Sequence, residues 1–288
     1  MRKAISGKTI TGLFAALSII FVFLMFIFVF SQSLPVLWNF GITGFIFNPT
    51  WLPTAEPPSF GILSMISGTL LVTLLAMLIA LPLSLFGAMY ISEIAHPKIR
   101  DLLKTTIELL SAVPSVVYGF FGLIVIVPWI QSTFGLPTGQ TALTGGIVLA
   151  MMILPTMLSI TEDSLRAVPN EYREASLSLG ATKWQTIRRV VIPAASSGIV
   201  AGTLLGLGRA IGETIAVMMV TGGSAVIPTS IFSPVRTMPA TIAWEMGEVS
   251  FGSMHYSALF GIGLVLFIIT FTINFAAHRI ISRRIGGM

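Results

Sequence analysis

The sequence predicts an all-α membrane protein with six transmembrane helices and both termini on the cytoplasmic side. Of its 288 residues, 55% are hydrophobic and only 9% charged, against about 25% charged in an ordinary soluble domain. Apolar runs recur at the ~20-residue length that a helix needs to cross a hydrocarbon core. The basic residues collect in alternate gaps between those runs, which sets the orientation.

The spans fall near 11–34, 63–92, 105–130, 142–163, 194–221 and 257–278. Arg2, Lys3 and Lys8 precede the first; Lys98, Arg100 and Lys104 fall between the second and third. Arg166, Arg173, Lys183, Arg188 and Arg189 lie between the fourth and fifth, and Arg279, Arg283 and Arg284 follow the sixth. That places 14 of the 16 Lys and Arg residues on one side, with Arg236 opposite and Arg209 inside span five. By the positive-inside rule the basic side is cytoplasmic. A formal charge of +5 distributed in this way belongs to membrane loops beside lipid headgroups and implies no nucleic-acid partner. The first apolar stretch exceeds the 7–15-residue core of a cleaved signal peptide, so it is expected to remain as span one.

Two large connections lie on the outer side. Residues 35–60 carry Pro35, Trp38, Pro49, Trp51, Pro53, Pro57 and Pro58, which predicts an irregular loop near the headgroups. Residues 222–256 hold Trp244, Glu245, Glu248 and His255. The chain has no cysteine, so thiolate metal sites and disulfides are excluded, and the spans carry no metal-ligand or catalytic constellation. No G-x-x-x-x-G-K-[ST] loop occurs, so any ATP hydrolysis belongs to a partner. The expected organisation is a first helix and outer loop (1–60), a membrane domain (61–280) and a basic cytoplasmic tail (281–288).

The longest cytoplasmic connection, 164–193, reads as two short helices joined at a glycine. Asn170 is the expected N-cap of the first, with Glu171 and Glu174 in the turn where the helix dipole favours carboxylates. Gly180 ends that helix in a left-handed conformation. The second runs from Thr182 to about Val191 and stops at Pro193, where span five begins. From these residues alone the segment is either an interfacial helix pair or a docking element. The spacing of Glu174, Ala175, Ser176, Gly180 and Pro193 resembles the "EAA" loop of ABC importer permeases, with Ser176 where a second Ala often stands. That resemblance implies a coupling helix that inserts into a groove of an ATPase subunit.

At about 100° per residue, Gly198, Gly202, Gly206, Arg209, Glu213 and Ala216 of span five share one wedge of a helix. Gly208 and Gly212 lie off it and are expected to serve close helix packing. An arginine at bilayer depth costs at least ~2.5–3.5 kcal/mol, so Arg209 needs a reason. With Glu213 four residues on, the two could form a self-neutralising pair that locks span five to a neighbour. Alternatively, Arg209 lines a substrate path, where its forked donors match an oxyanion and Glu213 keeps the hold weak enough for release. Glu108 is a further candidate for that path, or an interfacial carboxylate near the cytoplasmic end of span three.

Together, IELLSAVPSVVYG (107–119), the 163–193 loop and GLGRAIGETIAVMMVTG (206–222) resemble the permeases of phosphate-specific ABC importers, the PstC type more than its PstA-type sister. The likeness covers roughly 61–280. It implies the type I ABC importer transmembrane domain, a five-helix core plus an N-terminal helix, in the cytoplasmic membrane. It further implies inorganic phosphate as the substrate and a second, PstA-type permease as partner. Two PstB-type ATPases would carry ATP and Mg, a PstS-type extracytoplasmic protein would deliver phosphate, and this chain would bind no cofactor and catalyse nothing. A permease for molybdate, tungstate or sulfate would share the coupling loop. An autonomous channel or secondary transporter is the remaining reading, for which an internal repeat would be expected.

Overall fold

The computed structural model describes residues 7–285, so Arg2, Lys3 and the last three residues of the basic tail lie outside it. Among the described residues five helices are long and apolar enough to span a membrane, and a bent pair, Lys183–Ala194 with Ser196–Ile211, makes a sixth. Four expected boundaries are corrected.

The first helix, α1 (Gly7–Ile46), does not end at residue 34 but continues through Pro35. Proline removes one backbone donor and crowds the preceding turn, yet the turns beyond it are held by burial. Val36 and Phe45 are both fully buried, in a cluster with Phe60, Leu259 and Ile262. Only at Gly41, with φ 68°, does the chain leave helical geometry. The rest of the outer loop forms a short antiparallel ladder, β1 (Trp51–Leu52) with β2 (Ser59–Phe60), that sets Trp51 opposite Phe60. Trp51 is only 6% exposed, so it belongs to the protein interior and not to the headgroup layer.

The next span, α2 (Leu63–Met89), runs into a π-helical turn at Tyr90–Ile94. Span three does not begin at residue 105. Instead Pro97–Ser111 forms a separate helix, α3, in which no residue is buried. Pro114 disfavours the α conformation at the residue before it, and the crossing starts afresh as α4 (Ser115–Phe121). It continues through a π-turn at Gly122–Ile126 into α5 (Val127–Phe134).

At the centre lies α6 (Ala142–Arg166), capped by the Thr141 hydroxyl, which accepts from the Thr144 N–H. Along it pack α2 and the later α10 (Ser196–Ile211). Val72, Ala76, Leu149, Ile153, Met157 and Ala210 form their common core. Between α6 and α10 come α7 (Asn170–Ser178) and α8 (Lys183–Thr186). A π-turn at Ile187–Val191 and α9 (Ile192–Ala194) follow, then a 69° bend into α10. The helical run therefore passes through Pro193 and turns at Ala195. Span five is also not continuous to 221: α10 stops at Ile211 and α11 (Ile215–Val220) resumes after Gly212–Thr214. The outer α12 (Met238–Glu245) and the last span α13 (Met254–Ile285) complete the fold, α13 lying along α1.

Candidate functional site

The break after α10 reassigns the intramembrane charges. Arg209 and Glu213 make no ion pair: Arg209 Nη1 donates to Thr156 Oγ1 of α6 at 3.1 Å. Glu213 Oε1 instead accepts from the Ala216 N–H at 3.1 Å. A carboxylate placed there satisfies one of the unpaired donors that open a helix, so Glu213 caps α11. The single wedge expected for these residues assumed an unbroken helix, and the Gly-Glu-Thr break removes that geometry. The self-neutralising pair is thereby corrected.

The glycines exchange roles as well. A Cβ at Gly198, Gly202 or Gly206 would stand 2.0, 3.1 or 2.4 Å from Ser164, Ile160 or Met157, all on α6. Gly208 has nothing nearby and Gly212 only the Gly208 carbonyl of its own helix at 3.6 Å. The glycine face is thus the α6-packing face, and among the described residues Gly208 and Gly212 pack against no other helix. Arg209 lies at the edge of that face, half-buried. Its Nε and Nη2 make no hydrogen bond with the described residues, so most of its fork remains available. Thr156, which holds it, carried no distinguishing signal in the sequence.

Glu108 is exposed on α3, and its carboxylate has no hydrogen-bond or ion-pair partner among the described residues. It is not brought to Arg209. The residue of α3 that pairs with α6 is instead Lys104, whose Nζ lies 2.9 Å from Glu162 Oε2 and 2.6 Å from Asp163 Oδ1. Hydrogen bonds to Asp163 first and Glu162 second hold the Lys104 ammonium above the ordinary lysine range.

The cytoplasmic loop closes much as its residues predict. Gly180 has φ +83°, its N–H donates to the Leu177 carbonyl, and the Ala181 N–H donates to that of Ser176. These two bonds make a Schellman termination of α7. Thr182 and Gln185 form a reciprocal capping box that starts α8. Ser176 Oγ meets Thr186 Oγ1 at 2.9 Å, tying α7 to the following turn. Asn170 is the first helical residue, with Pro169 at the cap position, and it forms no cap of its own. Glu174, Ala175, Gly180 and Pro193 are all exposed. So are Leu179 at 90% and Trp184 at 54%, a pair of apolar residues at the tip that the motif spacing did not single out.

A sequence family described as "binding-protein-dependent transport system inner membrane component" matches residues 81–287. The chain belongs to this family. Among relatives of this permease, a probable ABC transporter permease, YqgH of Bacillus subtilis, is 42% identical over 83% of this chain and 78% of its own. The phosphate transport system permease PstC of Mesorhizobium japonicum is 38% identical over 88% and 82%. That of Haemophilus influenzae is 34% identical over 96% and 92%. Among solved structures, a chain of a bacterial alginate ABC importer superposes with TM-score 0.62 at 14% identity, covering 94% of this permease and 96% of that chain. A chain of the MetNI methionine transporter gives 0.58 at 19%, covering 78% and 94%. The fold is the type I ABC importer transmembrane domain, and the permease is a multi-pass protein of the cytoplasmic membrane with a transport and not an enzymatic role.

Proposed function

We propose that this permease carries inorganic phosphate inward as one of two membrane subunits of an ATP-driven importer. The observation that carries the reading is its 34–38% identity, over most of both chains, to phosphate permeases. Beside it stands a half-buried intramembrane arginine with unspent donors. In this reading Arg209, steadied by Thr156, offers its remaining N–H groups to phosphate oxygens, for which a planar fork is well matched. Glu213 acts on the path indirectly, by ordering α11. Glu108, exposed beside the cytoplasmic end of the crossing, keeps a role only where the substrate leaves.

The partners follow from the same reading: a PstA-type permease beside this one, two PstB-type ATPases that hold ATP and Mg, and a PstS-type phosphate-binding protein outside. The ATPases dock at α7 and α8, where Glu174, Ala175, Ser176 and Gly180 form the contact surface and Pro193 shapes the turn into α10. Residues 61–280 act as the translocating unit, 1–60 as an added helix and outer loop, and 281–288 as a basic tail. Alternating access arises from rigid movement of the two permeases as the ATPases close.

The test is uptake by proteoliposomes holding the complex co-purified in mild detergent, supplied with the phosphate-binding protein and internal ATP. Radiolabelled phosphate should accumulate and excess sulfate or molybdate should not compete. Accumulation of either of those anions in place of phosphate would overturn the substrate assignment.

A further inference from the structure

The coupling helix α7 is bonded to a second core helix as well as to the one that precedes it in the chain. Arg173 Nη2 lies 2.7 Å from Glu93 Oε1 and its Nε 3.3 Å from Glu93 Oε2, a bidentate pair. The same guanidinium donates to the carbonyls of Leu165, at the end of α6, and Val168, in the link from α6 to α7. Glu93 sits in the π-turn that ends α2, and its side chain is only 7% exposed, that of Arg173 18%. One guanidinium therefore joins three elements: α7, the end of α6 and the end of α2.

We infer that Arg173 and Glu93 are positioning residues for transport, forming the tie through which movement of α7 is delivered to α2 and α6 together. The inference rests on the proposed ATPase docking at this loop. On its far side α7 leads through the left-handed Gly180 to α8, where Ser176 bonds Thr186, and then to the 69° bend before α10, a route that reaches α10 and not α2. On its near side the backbone reaches α6 alone. Covalent connection thus supplies no route from α7 to α2, and α2 packs along α6 as the other half of the central core. A bidentate, poorly exposed pair fixes orientation as well as distance, so α7 cannot tilt on α6 without drawing α2 with it.

Glu93→Gln isolates this link, since it leaves the Arg173 bonds to the Leu165 and Val168 carbonyls in place. In the reconstituted complex Glu93→Gln should keep ATPase copurification and basal ATP hydrolysis while phosphate moved per ATP falls about tenfold, within the range by which single residues alter coupling. Glu93→Asp should recover part of the ratio. An unchanged ratio would overturn the inference. Should Glu93→Gln assemble poorly, the unmodified pair can be tested by spin labels at Ser178→Cys on α7 and Ile94→Cys at the end of α2. Their separation should stay constant between nucleotide-free and ATP-bound states, and a change of more than about 2 Å, the scale of helix shifts at interfaces, would sink the tie. Failure of the proposed function itself is distinguishable, because the complex with the natural Glu93 would then hydrolyse ATP without moving phosphate.

Discussion

Arg209 bonds across to Thr156 on α6 and not along its own helix to Glu213. The two intramembrane charges therefore have separate work, one at the edge of a helix interface and the other at a helix cap.

That separation predicts how the variants combine. Arg209→Gln should leave the complex assembled but reduce phosphate uptake at least about tenfold, since hydrogen bonds to a charged group are worth ~1.5–3 kcal/mol. Arg209→Lys should also transport poorly, lacking the fork. Glu213→Ala should cost about 1 kcal/mol of local stability through loss of the α11 cap, and the Arg209→Gln, Glu213→Gln double variant should stay inactive. Complex yield beside radiolabelled phosphate uptake decides this; full transport by the double variant would remove Arg209 from the substrate path.

Gly180 closes α7 at a positive φ, where a β-branched residue is strained by roughly 1–3 kcal/mol. Gly180→Val should insert in the membrane normally but abolish uptake and lower ATPase copurification. Normal binding of the ATPase with normal uptake would reduce the loop to an interfacial helix pair.

Lys104 faces Glu162, whose side chain is 2% exposed. Lys104→Met should strand that carboxylate and destabilise the protein by on the order of 2 kcal/mol, less than the ~3–5 kcal/mol for breaking a fully buried pair, because Lys104 itself is 27% exposed. Its folded pKa is raised above 10.5, so its contribution is complete below the unfolded value and lost as pH rises through the folded one. Melting curves in detergent should show the difference between Lys104→Met and the natural residue unchanged across neutral pH and shrinking only in strong alkali.

Thr54 and Ser230, both exposed, lie on the side that carries few basic residues, and the exposed Ser178 lies on the side that carries many. In this cysteine-free chain, single cysteines at Thr54 and Ser230 should react with a membrane-impermeant thiol reagent in intact cells, and one at Ser178 should not. The reverse pattern would invert the protein in the membrane.

The helical membrane class, the number of crossings and the termination of α7 were legible in the sequence, because each rests on local physics: hydropathy over a span's length, charge in the gaps, and a glycine where φ must be positive. The geometry of the loop from α7 to α8 was legible for the same reason, whereas a docking role was implied only by its resemblance to the EAA loop. Packing between distant elements settled the places where competing local signals were overruled. Pro35 does not end α1 because Val36 and Phe45 find a core to enter, whereas Pro114 does start a new helix because nothing in α3 is buried. Helical periodicity placed Arg209 and Glu213 on one face only while the helix was taken as unbroken. The partners Thr156 for Arg209 and Glu93 for Arg173 stand 53 and 80 residues away in sequence, and pairing over such distances is set by how α2, α6 and α10 pack, which no local pattern encodes.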